Sequence, residues 1–220
     1  MNNSTIIKSI LFDLDGTLLD TAPDFLRIIN IILTEQQRPT LRLSNLRPYI
    51  SGGTTAMIKF AFDIDKDHPH FLNLREQFLS LYAQNIVELT RPFPGALEML
   101  AQLTQRNIPW GIVTNKYQCY TDLLLNTHQL LPQTACIVCG DTLEQAKPHP
   151  EPLLHAARLL NCAPEHCVYV GDSQNDILAG QRAGMQTVIA NYGYIAEDEN
   201  TTAWQADGSI NEPLDIMRWL

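Results

Sequence analysis

The sequence predicts an α/β protein: a parallel sheet flanked by helices, with an all-helical segment inserted after the first strand. Three observations carry this. Short apolar runs recur along the 220-residue chain and end in polar residues, as strands buried on both faces of a parallel sheet do. From residue 92 onward these runs alternate with stretches of helical periodicity, the rhythm of βαβ units with right-handed crossovers. Between residues 20 and 91 only helical periodicity is found.

The first strand is the run Ile6-Ile7-Lys8-Ser9-Ile10-Leu11-Phe12, which climbs to Asp13-Leu14-Asp15-Gly16-Thr17. Positions i and i+2 of a strand share a face. Asp13 and Asp15 therefore crowd each other unless a cation sits between them or the chain turns, and Gly16 supplies a turn. The carboxyl end of such a strand is where open α/β sheets bind ligands. Acidic turns after strands are common, but Asp-x-Asp-Gly-Thr arises by chance in a chain this long on the order of once in several hundred.

The inserted segment, 20–91, starts with a helix. Thr21 is its expected N-cap, with Asp24 closing a capping box and Pro23 in the first turn; Phe25, Ile28, Ile29, Ile32 and Leu33 form its apolar stripe. A short helix is expected over 44–50, a tight loop at Ser51-Gly52-Gly53-Thr54, a helix through Met57, Ile58, Ala61 and Phe62, and a long helix over 70–90. Thereafter strands are expected at 109–115, 135–141, 166–172 and 186–190. Helices are expected at 96–106, 116–127, 150–160 and 173–184, the last stopped by Gly184. The tail, 197–220, is polar and then ends in a short amphipathic stretch at Leu214, Met217 and Trp219; it carries little signal.

Composition bounds the function. An apolar share of 45% is enough for a core. A net charge of −9 argues against a nucleic-acid-binding surface, though not against a locally positive site for an anion. Residues 1–5 lack a basic leader region and no window approaches 18 uninterrupted apolar residues, so no membrane span is expected. Five cysteines form no regular framework. Cys136 and Cys139 lie three apart in a β-like run and so point to opposite faces, which suits buried free thiols and a cytoplasmic location.

The other strand ends are polar too. Thr114-Asn115 ends the second strand, where a hydroxyl and backbone N–H groups make a phosphate cradle or simply a helix N-cap. Lys147, between Ala146 and Pro148, follows the third strand in a proline-stiffened loop; an isolated loop lysine is otherwise solvated. Gly171-Asp172-Ser173-Gln174-Asn175-Asp176 ends the fourth, placing Asp172 to bind a cation opposite Asp13, with Ser173 and Asp176 spaced as a capping box.

In order and spacing these four stretches resemble the motifs of the haloacid-dehalogenase-like hydrolase superfamily, in the branch similar to phosphoglycolate phosphatases. The resemblance implies a Rossmann-like core, 1–19 and 92–220, with a helical cap, 20–91, that selects the substrate. It implies a phosphomonoesterase acting through an aspartyl-phosphate on a small phosphorylated metabolite. In that scheme Asp13 is the nucleophile, Asp15 the general acid/base, Thr114 the phosphate-binding hydroxyl, Asn115 its neighbour, and Lys147 the balancing cation. Magnesium is implied at Asp13, Asp15 (through its main-chain carbonyl), Asp172 and Asp176. The presence of Asp15 sets the chain apart from phosphonate-cleaving and dehalogenating relatives, which lack it, but not from sugar-phosphate mutases. Ser51, Gly52 and Gly53 lie where the branch contacts substrate; Arg47 and Lys59 flank them and could meet a substrate carboxylate. Phosphoglycolate, the first-ranked substrate, carries one, and so does N-acetylmuramic acid 6-phosphate, the alternative. The expected protein is a monomer or homodimer without nucleic-acid or membrane partners; a non-catalytic binder on the same fold is the contrasting reading.

Overall fold

The computed structural model describes residues 6–130 and 133–220; residues 1–5, read above for a leader, lie outside them. Chain order runs β1 (Ser9–Phe12), β2 (Leu19–Asp20), α1 (Ala22–Glu35), α2 (Leu43–Leu46), α3 (Gly53–Phe62), α4 (Phe71–Asn85), β3 (Arg91–Pro92), α5 (Ala96–Gln105), β4 (Trp110–Val113), α6 (Gln118–Thr127), β5 (Cys136–Val138), α7 (Glu151–Leu159), β6 (Cys167–Gly171), α8 (Gln174–Ala183), β7 (Gln186–Ala190) and β8 (Gly208–Ile210). Six strands form one sheet in the order β5-β4-β1-β6-β7-β8, every neighbouring pair parallel.

β1 lies inside this sheet, with Ile10 beside Trp110 of β4 on one side and Val168 of β6 on the other. All four of its residues are buried. Ile10 and Phe12 face one apolar cluster with Val168 and Val170, whereas Leu11 faces another with Val113, Tyr169 and Leu153. Burial on both faces is why the strand reads as an unbroken apolar run. The same arrangement brings the ends of β1, β4 and β6 together at one edge of the sheet, so their polar residues converge.

The inserted segment is helical from α1 through α4, with a 3₁₀ turn at Arg47–Tyr49 between α2 and α3. The chain enters and leaves it through a two-stranded antiparallel ribbon, Leu19 opposite Pro92 and Asp20 opposite Arg91. α1 packs against α4 through Phe25, Phe78 and Tyr82, whose rings lie 4.9–6.1 Å apart.

Two expectations are corrected. Thr21 does not cap α1 with its side chain; the Tyr194 phenol oxygen accepts from Thr21 N (2.6 Å) and Ala22 N (3.0 Å). Asp24 closes no capping box either. It is fully buried and accepts from Leu89 N (3.0 Å), Thr90 N (2.8 Å) and Thr90 Oγ1 (2.6 Å), tying the end of the helical segment to its start. The tail supplies edge strand β8 and a 3₁₀ segment, Pro213–Trp219, that packs on α5. Three residues of β8 were too few for a periodicity signal. Cys136 and Cys139 are buried free thiols, and burial pushes Cys136 up to about 12.

Candidate active site

Beyond β1 the chain makes a tight loop in which the Leu14 carbonyl accepts from the N–H groups of Thr17, Leu18 and Leu19. Gly16 sits at φ +82°, and a Cβ there would lie 2.2 Å from Asp172 Oδ2. Only glycine meets both the left-handed conformation and the close approach. Asp13 is thereby presented at the strand end, its N–H anchored on Val170 O at 2.9 Å.

Asp13, Asp172 and Asp176 form a cluster with carboxylate oxygens within 4.8 Å of one another. Lys147 Nζ reaches into it, 3.0 Å from Asp13 Oδ1 and 2.7 Å from Asp176 Oδ1. The ammonium also donates to Val113 O (2.9 Å) and Tyr169 OH (2.7 Å). Burial alone would lower the Lys147 pKa, but Asp13 and Asp176 outweigh it and hold the group above its ordinary value. Burial raises Asp13 to about 7; Lys147 opposes this, and Asp176 and Asp15 add to it. Asp172 is pushed well up by burial, then by Asp176 and Asp13. Three carboxylates against one ammonium leave an excess of two negative charges in a buried site. A divalent hard cation fits that donor set and removes the repulsion.

The members of this cluster differ. Asp176 Oδ2 accepts from Ser173 N (3.0 Å) and Ser173 Oγ (2.6 Å), in the capping box expected from the sequence. With Oδ1 held by Lys147 and Tyr169, both of its oxygens are engaged. Asp176 thus anchors Lys147 while remaining a member of the three-acid cluster. Asp172 accepts from Tyr194 N at 2.7 Å and keeps only a long contact, 3.4 Å, from Thr17 Oγ1. The Asp15 side chain stands apart from the cluster: Oδ1 accepts from Thr21 Oγ1 (2.7 Å) and Oδ2 is 2.9 Å from Lys116 Nζ.

A cavity of about 250 Å³ opens over these groups. Its sheet side carries Asp13, Asp15, Thr114, Asn115, Lys116, Lys147 and Asp176; its helical side carries Ser51, Gly52, Gly53, Thr54, Thr55 and Arg75, with Phe25, Phe78 and Tyr82 between. Thr114 Oγ1 accepts from Lys116 N at 3.2 Å, which leaves its O–H free to donate. Asn115 is at the cavity, but its side chain holds the Lys147 backbone, donating to Lys147 O (2.9 Å) and accepting from Lys147 N (3.0 Å).

The two flanking cations of the sequence reading do not reach the cavity. Arg47 Nη2 donates to Tyr192 O (3.0 Å) and Gly193 O (3.2 Å), and its guanidinium lies 5.4 Å from the Tyr194 ring centre. Lys59 pairs with exposed Asp65 at 2.6 Å. Three site residues went unread in the sequence. Lys116 follows Thr114-Asn115 directly and could have been found as a strand-end cation. Arg75 and Tyr194 gave no local signal, because each reaches the site only through tertiary packing.

A family model described as haloacid dehalogenase-like hydrolase matches residues 10–190. The chain is 37% identical over 212 residues to the N-acetylmuramic acid 6-phosphate phosphatase of Pseudomonas putida, covering 96% of this chain and 95% of that one. It is 42% identical over 209 residues to the phosphoglycolate phosphatase of Xanthomonas campestris pv. campestris, covering 95% and 94%. A crystal structure described as a predicted phosphoglycolate phosphatase from Haemophilus somnus 129pt superposes with a TM-score of 0.85 at 27% identity, covering 96% of this chain and 97% of that one. With the strand-end acids, the buried lysine and the helical insertion in place, the chain belongs to the haloacid dehalogenase-like hydrolases.

Proposed function

We propose that the protein is a magnesium-dependent phosphomonoesterase that works through an aspartyl-phosphate on Asp13, acting on a small phosphorylated carboxylic acid. The observation that carries this is the Asp13 carboxylate at the cavity floor, 3.0 Å from Lys147 Nζ and facing the same cavity as Asp15. One Asp13 oxygen attacks phosphorus and the ester oxygen leaves with a proton from Asp15. Asp15 then takes a proton from water as the water attacks the acyl phosphate, returning Asp13 and releasing inorganic phosphate. Lys116 and Thr21 orient Asp15 for both transfers. Thr114 donates its hydroxyl to the transferring group, and Lys147 offsets the charge of nucleophile and phosphate. Magnesium held by Asp13, Asp172 and the Asp15 main-chain carbonyl would neutralise the meeting of two anions.

In this reading residues 20–91 act as a cap over the core, 1–19 and 92–220. The paired crossing strands at Leu19–Asp20 and Arg91–Pro92 support that boundary. Both relatives named above act on phosphorylated carboxylic acids, phosphoglycolate and N-acetylmuramic acid 6-phosphate, and these are the two candidate substrates. A cytoplasmic setting agrees with five free cysteines, and no helix among the described residues is long and apolar enough to cross a membrane.

The test is phosphate release from both acids and from p-nitrophenyl phosphate, with magnesium and with EDTA. Wild type should turn over with magnesium alone, and Asp13→Asn should lose at least ~10³-fold, about 4 kcal/mol of barrier. Undiminished turnover by Asp13→Asn would rule out the covalent route; no turnover of any ester by wild type would favour the binding-module reading.

A further inference from the structure

Three cations line the cavity, and two belong to the reaction centre. Lys147 is held by Asp13 and Asp176, and Lys116 by Asp15. The third is Arg75 on α4, half-buried, with no hydrogen bond or ion pair to any other described residue. A guanidinium is a rigid fork of donors matched to carboxylate and phosphate, and more weakly hydrated than an ammonium. Arg75 shares a helix face with Phe78, Leu79 and Tyr82, at spacings of three, four and seven residues, and all four line the cavity.

That face measures a distance. Tyr82 marks the reaction end, because Lys116 Nζ lies 4.9 Å from its ring centre and 2.9 Å from Asp15 Oδ2. Arg75 comes seven residues earlier, roughly 10 Å along the helix axis. The wall between them is apolar, formed by Phe78 and Leu79 of α4. Tyr120 of α6 packs on Tyr82, ring centres 5.4 Å apart; burial raises its phenol, and the Arg75 charge opposes the rise. The cavity thus has an anion-handling floor, an apolar waist, and one uncommitted guanidinium at its far end.

We propose that Arg75 receives a carboxylate carried on the leaving group, about a sugar ring's length from the scissile phosphate. This rests on the phosphatase reading above and narrows its substrate class to phosphorylated sugar acids. A two-carbon acid phosphate carries its carboxylate next to the ester. It does not span from Asp13 to the far end of the waist. A pyranose with phosphate on one side and an acidic ether on the other does.

Two sugars that differ in that ether alone provide the test: N-acetylmuramic acid 6-phosphate and N-acetylglucosamine 6-phosphate. Wild type should favour the acid in kcat/KM. Arg75→Gln should erase the preference through KM, by roughly ten- to a hundredfold on the acid, with the neutral sugar and phosphoglycolate unchanged. Arg75→Lys should restore part of it. Thermal melting should not move, since Arg75 has no partner to lose among the described residues. Equal losses on both sugars, or no wild-type preference between them, would overturn the assignment while p-nitrophenyl phosphate turnover still upholds the phosphatase. Loss of that turnover in wild type would remove the phosphatase reading itself.

Discussion

The sheet side and the helical side of the cavity are held in different ways. On the sheet side Asp13, Asp15, Asp176 and Lys147, together with Asp172 of the same acid cluster, each have two or more partners within the protein. On the helical side the side chains of Ser51, Thr54, Thr55 and Arg75 have no hydrogen bond among the described residues, and Gly53 faces open space at φ +68°. The first arrangement fixes charges in a low-dielectric site before substrate arrives, which is what phosphoryl transfer requires. The second keeps donors available for whatever leaving group enters. The transferred group is common to all phosphate esters and the leaving group is not, so rigidity and adaptability fall on opposite walls.

The comparison can be broken first at the rigid wall. Gly16→Ala places a methyl group where Asp172 Oδ2 lies and forces a left-handed alanine. Turnover should fall about a hundredfold, the scale of a misplacement near 1 Å, and the magnesium concentration for half-maximal rate should rise. A magnesium titration at saturating substrate reads both, and an unchanged titration would remove Asp172 from the metal site.

At the junction, Asp24→Ala leaves the N–H groups of Leu89 and Thr90 and the Thr90 hydroxyl without their buried acceptor. The cost should be about 3 kcal/mol of stability, read by urea unfolding. A loss under about 0.5 kcal/mol would mean the helical segment is not tied at this point.

The smallest effect sharpens the contrast. Arg47 bridges the helical segment to the Tyr192-Gly193-Tyr194 loop, and Tyr194 N in turn holds Asp172. Arg47→Ala should lower kcat/KM about tenfold for every ester alike, the scale of one lost charged hydrogen bond. A loss confined to carboxylate-bearing esters would return Arg47 to the substrate-binding role that its sequence position suggested.

What the sequence by itself determined is the sheet side. Strand burial on both faces writes an apolar run, and a strand's polar end is contiguous in the chain, so Asp13, Asp15, Thr114 and Asp172 could be read as ends of successive runs, whereas Lys147, in the loop beyond β5, stood out only through its motif resemblance. The helical insertion was legible for the same reason, as a change of period near residue 20. Tertiary structure alone decided which groups those residues bond. It turned Asp24 from a cap into a tie and Arg47 from a substrate ligand into a bridge. It gave Asp176 to Lys147 and put the Tyr194 phenol at the start of α1 from 173 residues away. It left Arg75 on the helical wall without a partner among the described residues. Periodicity reports which face of an element is buried; it carries no information on what a long polar side chain meets when distant segments are packed against it.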